Sequence, residues 1–215
     1  MKNLVPFLLL FVISTCTNKG TDSGISDEQI VPVAVGNSWS FVELPAAGFN
    51  GDTSVYTLTI TKDTMMTLLI DGVTNIGRWY RVTGFAGGPP TYYADRSDGH
   101  WMTFFINDGQ NDIPVVSLVA KYPASIGDTY TRLYPPPINS GSQNVEVIST
   151  GTSVTVAAGT FSCVGYRVTL ISDGRRQVDA YYSPGVGLVK INHYDLAPGD
   201  NSVTRETRLT GYSVN

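Results

Sequence analysis

The sequence predicts an all-β protein: a strongly curved antiparallel sheet or open barrel of about a dozen strands built from two pseudo-repeats, with a two-sheet β-sandwich as the competing architecture. Three observations lead there. Apolar residues recur at every second position over several stretches, as in Tyr56, Leu58 and Ile60 against Thr57, Thr59 and Thr61, or Val164, Tyr166, Val168 and Leu170 against Arg167 and Thr169. The pairs Asn50-Gly51, Asp71-Gly72, Asp98-Gly99, Asp108-Gly109 and Asp173-Gly174 fall between such runs, and Asx-Gly pairs tolerate the positive φ angles of tight hairpins. Beyond the first fifteen residues, no stretch keeps a 3.6-residue apolar stripe for three turns.

The chain opens on a greasy leader. Lys2 supplies a positive start, and Leu4 to Val12 form an apolar run far shorter than the roughly 20 residues a helix needs to cross a bilayer. Residues 1–15 therefore read as a cleaved export signal. Ile13-Ser14-Thr15-Cys16 resembles the lipobox of bacterial lipoproteins, with Thr15 standing where Gly, Ala or Ser is commoner. The resemblance implies that Cys16 is acylated and becomes the first residue of the mature protein. It also implies a cell-envelope location on the outer membrane, since Thr17 is not the aspartate associated with inner-membrane retention. Residues 16–30 then form the acylated cysteine and a polar, aromatic-poor tether.

Residues 31–215 are expected to make a single β domain of two related halves, 31–121 and 122–215. Pro32-Val33-Ala34-Val35-Gly36-Asn37-Ser38-Trp39-Ser40 is echoed by Pro123-Ala124-Ser125-Ile126-Gly127-Asp128-Thr129-Tyr130-Thr131. Tyr80-Arg81-Val82-Thr83 returns as Tyr166-Arg167-Val168-Thr169, and Tyr92-Tyr93 as Tyr181-Tyr182. Echoes in the same order at near-constant spacing are what a duplication leaves. Pairing the halves would cover sheet edges that either half alone would expose. The Pro135-Pro136-Pro137 run is barred from a central strand and reads as a connector or sheet edge.

Two further stretches carry a likeness. Val154-Thr155-Val156-Ala157-Ala158-Gly159-Thr160-Phe161 and Tyr181-Tyr182-Ser183-Pro184-Gly185-Val186-Gly187-Leu188-Val189-Lys190, with the Gly-Asn-Ser-Trp opening, resemble signatures of uncharacterised bacterial envelope lipoproteins with β bodies. The likeness implies an extracytoplasmic β lipoprotein and brings over no catalytic residue.

Composition and motifs narrow the chemistry. A formal net charge of −4 without a Lys/Arg cluster predicts no nucleic-acid partner and no electrostatic grip on anionic lipid. No G-x-S-x-G elbow, H-E-x-x-H pair or phosphate-binding loop is present, so no enzyme activity and no cofactor are expected. His100 and His193, with Asp95 or Asp195, could meet across the halves to hold a metal, but two loop-side histidines are the plainer reading. Oxygen ligands cluster over 107–112 without the closing glutamate of an EF-hand, because Leu118 stands in its place. Cys163 reads as a small buried hydrophobe. Trp79, Tyr92, Tyr93, Trp101, Tyr181 and Tyr182 are the candidate ligand-binding aromatics, which core packing would explain equally well. The expected function is non-enzymatic: a membrane-anchored lipoprotein binding an apolar ligand or an envelope partner, or alternatively a surface glycan-binding or adhesive module.

Overall fold

A computed structural model describes residues 29–70, 72–84, 90–107, 112–132, 141–195 and 202–215. Cys16, the leader, residues 108–111 and the Pro135–Pro137 run lie outside the described residues. Twelve strands follow one another: β1 (Ser38–Pro45), β2 (Ser54–Ile70), β3 (Val73–Thr83), β4 (Thr91–Arg96), β5 (Gly99–Asn107), β6 (Asp112–Lys121), β7 (Thr129–Arg132), β8 (Gln143–Val156), β9 (Gly159–Leu170), β10 (Arg176–Ser183), β11 (Gly187–Tyr194) and β12 (Val203–Ser213). They form one antiparallel sheet in which every strand lies beside its sequence neighbour, except that β12 pairs with β1 and β6 does not pair with β7. A single twelve-stranded ladder of this kind curls into a nearly closed barrel, and the two-sheet sandwich does not form.

The two blocks of six strands, β1–β6 and β7–β12, repeat in order. The Pro-led echo enters β1 in one block and β7 in the other, the Tyr-Arg-Val-Thr echo lies on β3 and β9, and the Tyr-Tyr echo on β4 and β10. Hydrogen bonding repeats as well. Gly36 N–H donates to the Ile60 carbonyl while Ile60 N–H donates to Asn37, and Gly127 and Val147 do the same with Val147 and Asp128. Both glycines hold positive φ, 96° and 88°, which explains why glycine stands at this turn twice.

Inward-facing residues of both blocks fill the barrel, among them Phe41, Ile60, Val82, Val145, Val147, Tyr166, Val168 and Leu209. The N-terminal segment plugs one end, with Ile30 and Val31 buried in this core. Burying that pair contributes about 3–6 kcal/mol. Asn37 clamps the same end: its Nδ2 donates to the Pro32 carbonyl at 2.8 Å, and its Oδ1 accepts from Asn215 N–H at 2.9 Å.

Side chains bridge the seam between β6 and β7. Tyr130 Oη donates to the Val119 carbonyl at 2.8 Å, Arg132 Nε to the Leu118 carbonyl at 3.1 Å, and a second Arg132 nitrogen to Val119. From β9, Tyr166 Oη reaches across to the Lys121 carbonyl at 2.7 Å. Carbonyls left unpaired on a sheet edge are thereby satisfied by a neighbour rather than offered to another chain.

Candidate functional site

The structure divides the six predicted aromatics among three places. Tyr93 and Tyr182 face the barrel interior, where burial pushes both phenols up, Tyr182 to about 12. Trp79, Tyr92 and Trp101 lie on the opposite face of β3–β5, in a second cluster with Leu68, Ile70 and Ala94. Tyr181 lies on the outer face of β10, its ring so close over Gly165 that a Cβ there would sit 3.2 Å from Tyr181 Cε1. No single aromatic platform results, because neighbours along a strand point to opposite faces.

His100 is buried, 2% exposed, and not loop-side as the sequence reading had it; the tight Asp98-Gly99 turn carries it straight into β5. Its Nδ1 lies 3.7 Å from Asp95 Oδ1, beyond hydrogen-bond range, and its ring meets Tyr93 edge-on at 4.6 Å. His193 instead shares a 3.1 Å hydrogen bond with Thr207, and burial holds its pKa below the usual value. Among the described residues, no group of three metal-ligating side chains forms. Cys163 is fully buried and desolvation raises its thiol to about 12, which removes it as a nucleophile.

The outer face of β9–β12 is polar. Arg167, Asp179, Asn192 and Glu206 stand in one cross-strand row. Arg167 and Arg176 both ion-pair with Asp179, and the Arg176 guanidinium lies 3.8 Å over the Tyr194 ring. One face of the Tyr194 ring is thus taken by this cation and is closed to a sugar.

The most unusual feature is an arm that the sequence reading did not single out. β4 pairs with β3 only at Tyr80–Val82, so the part of the β2–β3 hairpin beyond Trp79 runs on without β4 beside it. One face of this arm packs Met66, Leu68 and Ile70 toward Trp79 and Trp101. The other carries Met65, Leu69 and Ile76, 62%, 65% and 72% exposed, with Val73 62% exposed at the tip. The repeat supplies an internal control, since the matching β8–β9 hairpin packs Val156, Ala158 and Phe161 into the main core and donates Ala158 N–H to the Leu209 carbonyl. None of its residues is among the exposed large hydrophobics. The signal was present in Met65-Met66-Thr67-Leu68-Leu69-Ile70, where alternation gives way to an apolar residue on both faces.

Where β3 parts from β4, a cleft of about 320 Å³ opens, lined by Gln29, Val33, Ile76, Tyr80, Asp95 and Arg96. Arg96 spans it, donating to Asn75 Oδ1 at 3.1 Å and lying 5.2 Å over the Trp101 ring. The N-terminal segment and the arm are therefore neighbours across one gap.

No protein-family model matches the chain, and no curated protein matches it significantly. Among solved structures, it is similar to a candidate lipoprotein from Parabacteroides distasonis ATCC 8503, at 16% identity and a TM-score of 0.38, over 86% of this chain and 99% of that one. It is also similar to a candidate exported protein with YmcC-like fold from Bacteroides fragilis NCTC 9343, at 11% identity and a TM-score of 0.42, over 85% of this chain and 98% of that one.

Proposed function

We propose that this chain is an exported envelope lipoprotein, tethered through acylated Cys16, whose barrel is a rigid non-enzymatic body that works by contact on its outer surface. The lipobox-like Ile13-Ser14-Thr15-Cys16 supports the tether. The observation that carries the mode of action is the concentration of exposed apolar side chains on one hairpin arm while the matching hairpin buries its own. A barrel axis occupied by Tyr93, Tyr166 and Tyr182 favours binding outside over carriage of a ligand within. Contiguous exposed apolar surface on a globular protein marks an interaction site.

Cell fractionation tests the tether. The wild-type protein should sediment with membranes and Cys16→Ser should move to the soluble envelope fraction. Equal distribution of the two would overturn the proposal.

A further inference from the structure

We infer that the exposed surface of the β2–β3 arm, made by Met65, Leu69 and Ile76 on one face and by Val73 at the tip, is a membrane-contact surface that rests on the lipid to which Cys16 is tethered. This deepens the lipoprotein reading and rests on it. Three observations place lipid rather than protein against the arm.

The first is polarity. In an up-and-down meander, successive turns alternate between the two ends of the barrel. The segment before β1 and the β2–β3 turn therefore share one end, while the β1–β2 and β9–β10 turns occupy the other. The tether and the arm leave the body on the same side.

The second is reach. Gln29 and Ile76 line the same 320 Å³ cleft, so the arm stands beside the point where the described chain begins. Twelve residues lie between Cys16 and Gln29, and whatever conformation they take the two ends are at most about 45 Å apart. The stretch of β3 that has β2 but not β4 beside it, Val73–Trp79, is seven residues long and extends about 24 Å. An anchored Cys16 thus keeps the arm within its own length or two of the bilayer.

The third is chemistry. The exposed side chains of the arm are aliphatic or thioether, the neighbouring Arg78 is ion-paired with Asp63, and exposed aromatic anchors of the kind that dominate protein interfaces are missing from it among the described residues. Aliphatic and thioether side chains of this kind suit shallow insertion beneath lipid headgroups, about 5–10 Å deep. In the duplicate arm, which turns inward, the corresponding surface is spent on the core.

The test uses the acylated protein in vesicles of phosphatidylethanolamine and phosphatidylglycerol. Cys163 is buried and Cys16 carries lipid, so Leu69→Cys takes a single nitrobenzoxadiazole label. Ile171→Cys, on an exposed turn at the far end of the barrel, is the reference site. The label at 69 should shift to the blue and be quenched by brominated acyl chains about threefold or more strongly than the label at 171. Equal, water-like emission at both sites would overturn the inference. So would a blue shift at 69 that brominated lipid leaves untouched, since that marks a protein partner or a second copy. In the Cys16→Ser protein, Leu69→Asp with Ile76→Asp should weaken vesicle binding about tenfold or more. Unchanged binding there would sink the arm even with Cys16 acylated, whereas an unmodified Cys16 alongside intact Leu69-dependent binding would sink the anchor alone.

Discussion

Replacing Tyr166 by Phe removes one hydroxyl from the seam of the barrel and nothing from its packing. Tyr166 is fully buried on β9, and its Oη donates to the Lys121 carbonyl at the end of β6 at 2.7 Å, across the gap where β6 and β7 share no ladder. Burial pushes the phenol well above its usual pKa, which keeps it a donor at every physiological pH. A buried hydrogen bond of this kind is worth about 1–2 kcal/mol when only one partner is removed. For a domain of this length each kcal/mol moves the melting temperature by about 2–4 °C, so Tyr166→Phe should melt about 2–8 °C lower. Calorimetry gives the global value, and amide exchange gives the place. Exchange should quicken in β6, Asp112–Lys121, and leave the β1–β12 junction as it was. A melting temperature within 1 °C of the parent, with unchanged β6 exchange, would refute the claim that side chains close this barrel.

Other outcomes follow from the same geometry. Cys163 should resist thiol reagents at pH 8 in the native protein and react fully in urea, because desolvation raises its pKa to about 12; rapid native labelling would contradict its place in the core. His193 is held below its usual pKa first by burial, aided by Arg205 and opposed by Glu43. A depressed histidine favours the folded state above its unfolded pKa of about 6.5 and loses that contribution as pH falls through the folded value. Stability should therefore decline from pH 7 toward pH 5, and His193→Gln should flatten the decline; an identical slope in both proteins would count against it.

Much of the fold was legible in the sequence because its two signals, period-two alternation and Asx-Gly turns, are local. Tyr56-Leu58-Ile60 and Val164-Tyr166-Val168 became inward faces of β2 and β9 as alternation requires. The echoes placed the duplication correctly because each half is a complete meander, so equivalent residues land on equivalent strands. The site was less legible. Aromatic residues adjacent in sequence, such as Tyr92 and Tyr93, must face opposite ways in a strand, so a list of rings could not become a platform. His100 sits beside a turn in sequence yet is buried, because Gly99, with φ of 135° and Ala120 O within 2.1 Å of where a Cβ would stand, carries β5 into the core at once. The arm was hidden by its own composition. Met65 to Ile70 reads as a buried strand, and only the pairing lengths of β2, β3 and β4 reveal that half of it is uncovered.

The most direct test of a lipid-tethered barrel is the mass of its N-terminal peptide, purified from the membranes of the host cell. The predicted product begins at Cys16 and carries a diacylglyceryl group on its sulfur. A peptide that retains residues 1–15, or one in which Cys16 is unmodified, would contradict the account.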